Sequence, residues 1–222
     1  MKRKFLELYE EWLKTEEEAE KKEKQNAEEE KTKRKKISSK KAEKLGKKLV
    51  DLIALEGSEN FIIKEVKKLI NAGADVNARN EYGRTSLAYA SERDYTYIVK
   101  ILIKAGADVN TRSSYDYTAL MWGSEYGNTE TVKELINSGA DLNIQNEEGD
   151  TALILASFHY ETEVVKALLD AGADINIKNE NDETAFDLKG DKEIIELLKN
   201  SKNNSKQENE NDFDEFDFGC KF

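Results

Sequence analysis

Gly73-Ala74-Asp75-Val76-Asn77, Gly106-Ala107-Asp108-Val109-Asn110, Gly139-Ala140-Asp141-Leu142-Asn143 and Gly172-Ala173-Asp174-Ile175-Asn176 are near-copies set 33 residues apart. Thr85, Thr118, Thr151 and Thr184 repeat at the same interval, so two independent markers share one period. Each pentapeptide follows an amphipathic run such as Val164-Val165-Lys166-Ala167-Leu168-Leu169, whose apolar residues fall on one helical face. The glycine stops that helix, because the residue past a helix end often takes a left-handed conformation that only Gly adopts without strain. Asp and Asn beyond it suit a turn. The threonines open a second helix in each unit, at Thr85-Ser86-Leu87-Ala88, Thr118-Ala119-Leu120-Met121, Thr151-Ala152-Leu153-Ile154 and Thr184-Ala185-Phe186-Asp187. Their hydroxyls can accept a free amide hydrogen of the first turn, and the apolar residue at the third place plugs the core. One unit is therefore turn, helix, turn, helix, and a unit of this size buries its apolar face only by stacking on neighbours.

These residues resemble the ankyrin repeat, with its Thr-Pro-Leu-His opening, its Gly between the helices and its Gly-Ala-Asp-Val-Asn close. The resemblance covers about 160 residues and implies an all-α solenoid of about five helix-turn-helix repeats with short β-turn fingers. Three full repeats are expected at about 80–112, 113–145 and 146–178, with a modified unit at each end, 41–79 and 179–200. The first lacks the Thr box and lengthens its inter-helix link through Glu56-Gly57-Ser58-Glu59-Asn60. The last is expected to have a short first helix broken by Gly190. Lys44, Lys47, Lys48 and Asp51 at one end, and Lys192, Glu193, Glu196 and Lys199 at the other, can supply the polar faces that stop further stacking.

The departures from the family pattern carry expectations too. Ser86, Ala119, Ala152 and Ala185 stand where the pattern has Pro, and alanine is a good helix former. Ala88, Met121, Ile154 and Asp187 replace the His, which removes its hydrogen bonds between repeats. The inter-helix Gly survives as Gly127, while Asp94 and Tyr160 take the equivalent places; Tyr160 is expected to distort its turn.

Outside the repeats the composition changes. Of the 222 residues 38% are hydrophobic and 36% charged, and the apolar ones concentrate between Leu45 and Leu198. Residues 1–40 and 201–222 read as charged tails that cannot bury enough apolar surface to offset their ordering entropy. In the first tail, Phe5, Leu8, Tyr9, Trp12 and Leu13 fall at helical spacing, which suits a partner-docking helix or a fold-back onto the first repeat. Residues 14–48 are a Lys/Glu run compatible with a solitary helix, and Lys33-Arg34-Lys35-Lys36 is either a basic localisation or phosphate-binding cluster or a solvated linker. The second tail alternates acid with Phe213, Phe216, Phe218 and Phe222, as a docking peptide, a transport address or a solubilising segment would.

The net charge of −11 argues against nucleic acid as a partner, since phosphates are repelled by the average surface. Cys220 is the one cysteine, so no intramolecular disulfide forms, and a cytoplasmic location is expected. No stretch approaches the roughly 20 apolar residues of a membrane span. His159 is the single histidine, no phosphate-binding glycine loop occurs, and a shallow groove gives little shelter for shifting a carboxylate pKa. The expectation is a non-enzymatic, monomeric binding protein with no cofactor, no metal and no small-molecule substrate. An exported effector and a self-pairing assembly unit are the alternatives.

The resemblance also implies where a partner protein would sit, because the turn tips and first helices of ankyrin repeats form a concave face. Its variable positions are Glu81, Tyr82, Arg84, Glu92 and Arg93; Ser114, Tyr115, Tyr117, Glu125 and Tyr126; and Glu147, Glu148, Asp150, Phe158 and His159, with Tyr89 and Trp122 close by. Tyr115, Tyr117, Trp122, Tyr126 and Phe158 are the expected hot spot. The alternative for these aromatics is packing between repeats. Glu147, Glu148 and Asp150 make the far half of the face acidic, which suits a partner with basic residues.

Overall fold

The computed structural model describes residues 38–55, 59–188 and 191–201. It divides into a first unit, Met1–Lys44, and a second, Leu45–Phe222. Of the first unit only 38–44 are described, as helix. The Phe5–Leu13 segment, the Lys33–Lys36 cluster, Gly190, Cys220 and the phenylalanines of the second tail lie outside the described residues.

The second unit is built from helices α1 (38–54), α2 (Glu59–Asn71), α3 (Ser86–Glu92), α4 (Thr96–Lys104), α5 (Ala119–Glu125), α6 (Thr129–Asn137), α7 (Ala152–Phe158), α8 (Thr162–Asp170) and α9 (192–201), α1 beginning just before the unit's first residue. Helices α3, α5 and α7 pack side by side in one row and α2, α4, α6 and α8 in a second. One position threads the second row: Val66, Val99, Val132, Val165 and Leu198 lie 33 residues apart and all are buried in one continuous core. Leu87, Leu120 and Leu153 do the same in the first row, where the threonine boxes put them. The caps form as the residue types dictate: the amides of Ala88, Met121 and Ile154 donate to the hydroxyls of Thr85, Thr118 and Thr151 at 3.2, 3.3 and 3.3 Å.

The first unit of the stack is more regular than its sequence suggests. Helix α2 already includes Glu59 and Asn60, so the expected long link is shorter, with 56–58 outside the described residues. The last unit is less regular. Residues 184–188 form a turn instead of a short first helix, closed by the Asp187 amide on the Thr184 carbonyl at 3.1 Å and by the Asp187 carboxylate, which accepts from both the amide and the hydroxyl of Thr184, at 2.9 and 2.7 Å. The threonine hydroxyl still accepts from the Phe186 amide at 3.3 Å, but no helix follows, and Phe186 is left exposed where Leu plugs the core in the other units.

Tyr160 does not distort its turn. Its φ of 65° matches the 70° of Gly127 and the 56° of Asp94, and the same bonds close all three turns. The amides of Tyr95, Asn128 and Glu161 donate to Ala90, Gly123 and Ala156 at 2.9 Å each. The helices on either side impose the left-handed conformation, and Tyr160 bears the strain with its ring exposed. Tyr160→Gly is therefore expected to raise stability by up to about 1 kcal/mol, the relief of a left-handed side chain less the extra freedom glycine gains when unfolded. Urea denaturation checks this; an unchanged or lower midpoint would show that the ring contributes packing that outweighs the strain.

Neighbouring units are tied by the asparagines that end the pentapeptides. Asn77 accepts from the Asp108 amide at 2.9 Å and donates to the Gly106 carbonyl at 3.1 Å, and Asn110 does the same with Asp141 and Gly139. Asn143 accepts from the Asp174 amide at 3.0 Å. The preceding aspartates close the local turns, as Asp75 does by accepting from the Asn77 amide. With the box histidine absent, this ladder supplies polar bonds between repeats.

Candidate functional site: the finger and inner-helix face

Four fingers project from the stack at one period. In three of them an asparagine holds the tip: Asn80, Asn146 and Asn179 each accept, through Oδ1, the amides two and four residues on, at 2.7–3.0 Å. The finger around Tyr115 has Ser113 in that place. Ser113 Oγ donates to the Tyr117 carbonyl at 2.8 Å and accepts from the Trp122 indole at 3.3 Å. Without the asparagine clamp the tip turns through two successive left-handed residues, Tyr115 and Asp116. Its ring projects outward.

The fingers are joined unevenly. Glu147 N–H donates to the Tyr115 carbonyl at 3.1 Å, and Glu180 N–H to the Glu148 carbonyl at 3.0 Å. The equivalent bond, Ser114 to Tyr82, is not formed among the described residues. Between those two fingers lies an open depression of about 670 Å³ lined by Tyr82, Arg84, Tyr89, Ser114, Tyr115 and Trp122.

The floor of this face is an aromatic and guanidinium stack. Arg84 lies between the rings of Tyr89 and Trp122, 4.1 and 3.9 Å from their centroids, and pairs with Glu92 at 2.6 Å. Tyr117 packs on Trp122 with centroids 4.7 Å apart, and the Tyr126 centroid stands 6.3 Å from that of Trp122. A half-buried guanidinium stacked on two rings is rigid, and the pair with Glu92 consumes its charge.

The face is electronegative. Burial, then the charges of Glu125 and Glu148, push the Tyr117 phenol above the ordinary tyrosine range. Tyr126 is raised by burial and by Glu92 and Glu125, and Tyr82 chiefly by Glu81. The Asp150 carboxyl is raised first by burial; Asn179 donates to it at 2.9 Å and opposes that shift, while Glu148 and Glu183 add to it.

The repeat geometry is matched by family profiles. One described as ankyrin repeats (3 copies) matches residues 112–179, and one described as ankyrin repeats (many copies) matches 69–121, so together they span half of the chain. The chain belongs to the ankyrin-repeat family. No curated protein matches it. Ankyrin repeats generally mediate protein–protein interaction, and no helix among the described residues of this ankyrin-repeat chain is long and apolar enough to cross a membrane.

The ankyrin register brings most of the expected contact residues onto one face but gives them different jobs. Tyr82, Tyr115, Tyr126 and Phe158 are 65%, 69%, 51% and 60% exposed. Glu81, Glu147, Glu148 and His159 are exposed as well, and His159 ends α7 with its ring edge-on to Phe158. Tyr89, Tyr117 and Trp122 are half-buried, and Asp150 is held by Asn179. Arg93 donates to the Ala54 carbonyl at 2.6 Å, tying α3 to the end of α1. Ser113 was not among the residues singled out from the sequence. Its signal is there all the same: it interrupts the series Asn80, Asn146, Asn179 at the 33-residue spacing.

Proposed function

We propose that this chain is a non-enzymatic, monomeric module that holds a partner protein on the face made by its fingers and inner helices. The observation that carries this reading is the exposure of Tyr82, Tyr115, Tyr126 and Phe158 on helices and fingers braced by the Arg84 stack. Large rigid aromatics presented on a preorganised surface lose little entropy on binding, and such residues dominate interface energetics. Arg84, Glu92, Arg93 and Trp122 brace this surface, while Tyr82, Tyr115, Tyr117, Tyr126, Glu148, Phe158 and His159 meet the partner.

Affinity capture from the native lysate, with wild type beside a Tyr115→Ala/Tyr117→Ala variant, tests the reading. Loss of two hot-spot side chains is expected to weaken the captured interaction at least about thirtyfold. Because Tyr117 is half-buried, a second variant with only the exposed rings removed, Tyr82→Ala/Tyr126→Ala, separates lost contact from lost folding. Equal recovery of the same partner by all three proteins would place the contact elsewhere. Sedimentation over a concentration series is expected to show a monomer throughout.

A further inference from the structure

The charges on this face are unevenly satisfied. Most of its cations are engaged: Arg84 with Glu92, Arg93 with the Ala54 carbonyl, Arg112 with Asp116 and Lys178 with Asp182, while Arg79, at the register of Arg112 and Lys178, has no ion-pair partner among the described residues. Glu81, Glu125, Glu147 and Glu148 have no ion-pair partner among the described residues. One of these carboxylates is already partly desolvated, since Glu125 Oε2 is buried without a hydrogen-bond partner. A carboxylate in such a setting acts more strongly on its surroundings than one in open water, as it does on the Tyr117 phenol, and a cation placed nearby is favoured for the same reason.

The aromatic depression between the first two fingers lies beside these carboxylates: the Glu147 amide donates to the carbonyl of Tyr115 in its wall, and the charges of Glu125 and Glu148 act on Tyr117. Glu81 lines its mouth, and the exposed rings of Tyr82 and Tyr115 stand on its two sides. Tyrosine faces attract guanidinium and ammonium groups, and the charge of the resident Arg84 is spent on Glu92. The apolar walls suit an alkyl stem and the rim suits a cationic head, which together describe a long basic side chain.

We propose that the groove running from the Tyr82/Tyr115 depression to Glu125, Glu147 and Glu148 takes an extended, arginine- or lysine-bearing segment of a partner protein. This deepens the reading above and rests on it. The raised tyrosine phenols along the face agree with a potential that draws cations. Direct ion pairing with several carboxylates makes binding salt-sensitive and steers association.

The test presents the full chain with a phage-displayed library of random linear peptides, then measures the enriched sequences as synthetic peptides by fluorescence anisotropy. Enrichment of basic peptides is expected, with binding lost when their Arg and Lys are changed to Gln. A groove variant, Glu125→Gln/Glu147→Gln/Glu148→Gln, is expected to bind them about tenfold more weakly, with a flatter salt dependence. An outer-row variant with the same change in net charge, Glu130→Gln/Glu163→Gln/Asp170→Asn, is expected to stay within about twofold of wild type. Equal weakening in both variants would overturn the proposal, because the net charge alone would then explain binding. Acidic or uncharged peptides that need Tyr115 and Tyr117 would overturn it while leaving the protein-binding face intact. Peptides indifferent to Tyr115 and Tyr117, or a library that yields no binder, would overturn both.

Discussion

Leu120→Ala lowers the free energy of unfolding by about 3–4 kcal/mol, the middle of the range for emptying a fully buried leucine site. Leu120 is buried on α5, and α5 packs against α3, α6 and α7, so the cavity opens where two repeat interfaces meet. A stack of repeats is stabilised by each unit and by each nearest-neighbour contact, so a central defect weakens both interfaces. Collapse around the cavity is restricted because the neighbouring leucines, Leu87 and Leu153, are themselves held by capped helices. The same chemistry at the end of the stack gives a different result. Ile194→Ala in α9 removes a comparable buried side chain beside only one neighbouring unit, and the expected outcome is local fraying of 191–201 with a smaller shift of the main transition. Urea denaturation of both variants, with amide hydrogen exchange to locate the opening, checks the contrast. A loss under about 1 kcal/mol for Leu120→Ala would mean that the repeats do not stack as described.

Gly46→Ala destabilises the protein by about 2 kcal/mol, although it places the best helix former inside a helix. Intrinsic propensity alone predicts a gain of about 1 kcal/mol at such a site. Against it stands the close approach of α1 to the turn between α2 and the first finger. A Cβ on Gly46 would overlap the Asp75 carbonyl oxygen and the Ala78 methyl, and Gly46 is buried there. One of the two clashing groups is backbone, so relief requires moving the helix, and overpacking of this kind costs up to about 3 kcal/mol, which the propensity gain of about 1 kcal/mol only partly offsets. The asparagine bond from Asn77 to the next unit starts two residues past Asp75, so displacement of this turn also loads the first rung of the ladder. Thermal unfolding followed by circular dichroism measures the effect. A raised midpoint would show that α1 stands farther from the turn than the structure places it.

The two ends of the stack show where sequence reading succeeds and where it fails. Val66 and Leu198 occupy the same register as Val99, Val132 and Val165, so both terminal units, marked in the sequence by Gly73 and Thr184, carry the apolar spacing of the central three. The fate of the Thr184 box was not visible, because its bonds are those of a helix start and yet the chain continues as a single turn. Tyr160 was misjudged for a related reason. Its own preference opposes a left-handed turn, and the packing of α7 and α8 overrides that preference by a margin no single residue reveals.

On the candidate site, the periodicity located the positions and left their roles open. Arg84 and Tyr115 occupy adjacent fingers of one register, yet the first is locked in a stack and the second projects into solvent. The division depends on Trp122, Tyr89 and Glu92 converging on Arg84 from two repeats. It depends also on Ser113 leaving its finger without the clamp that the others have.

The 33-residue unit, its two helices, three of their threonine caps and the number of stacked units can all be read from the order of residues. These depend on neighbours close along the chain and on one repeated interface, so their signal recurs in every copy. Packing between repeats sets which side chains of the exposed face are braced and which project into solvent, where the finger ladder is interrupted, and that a tyrosine holds a turn built for glycine. Those outcomes turn on contacts between residues from different repeats, whose energies depend on distance and burial and leave no period in the text.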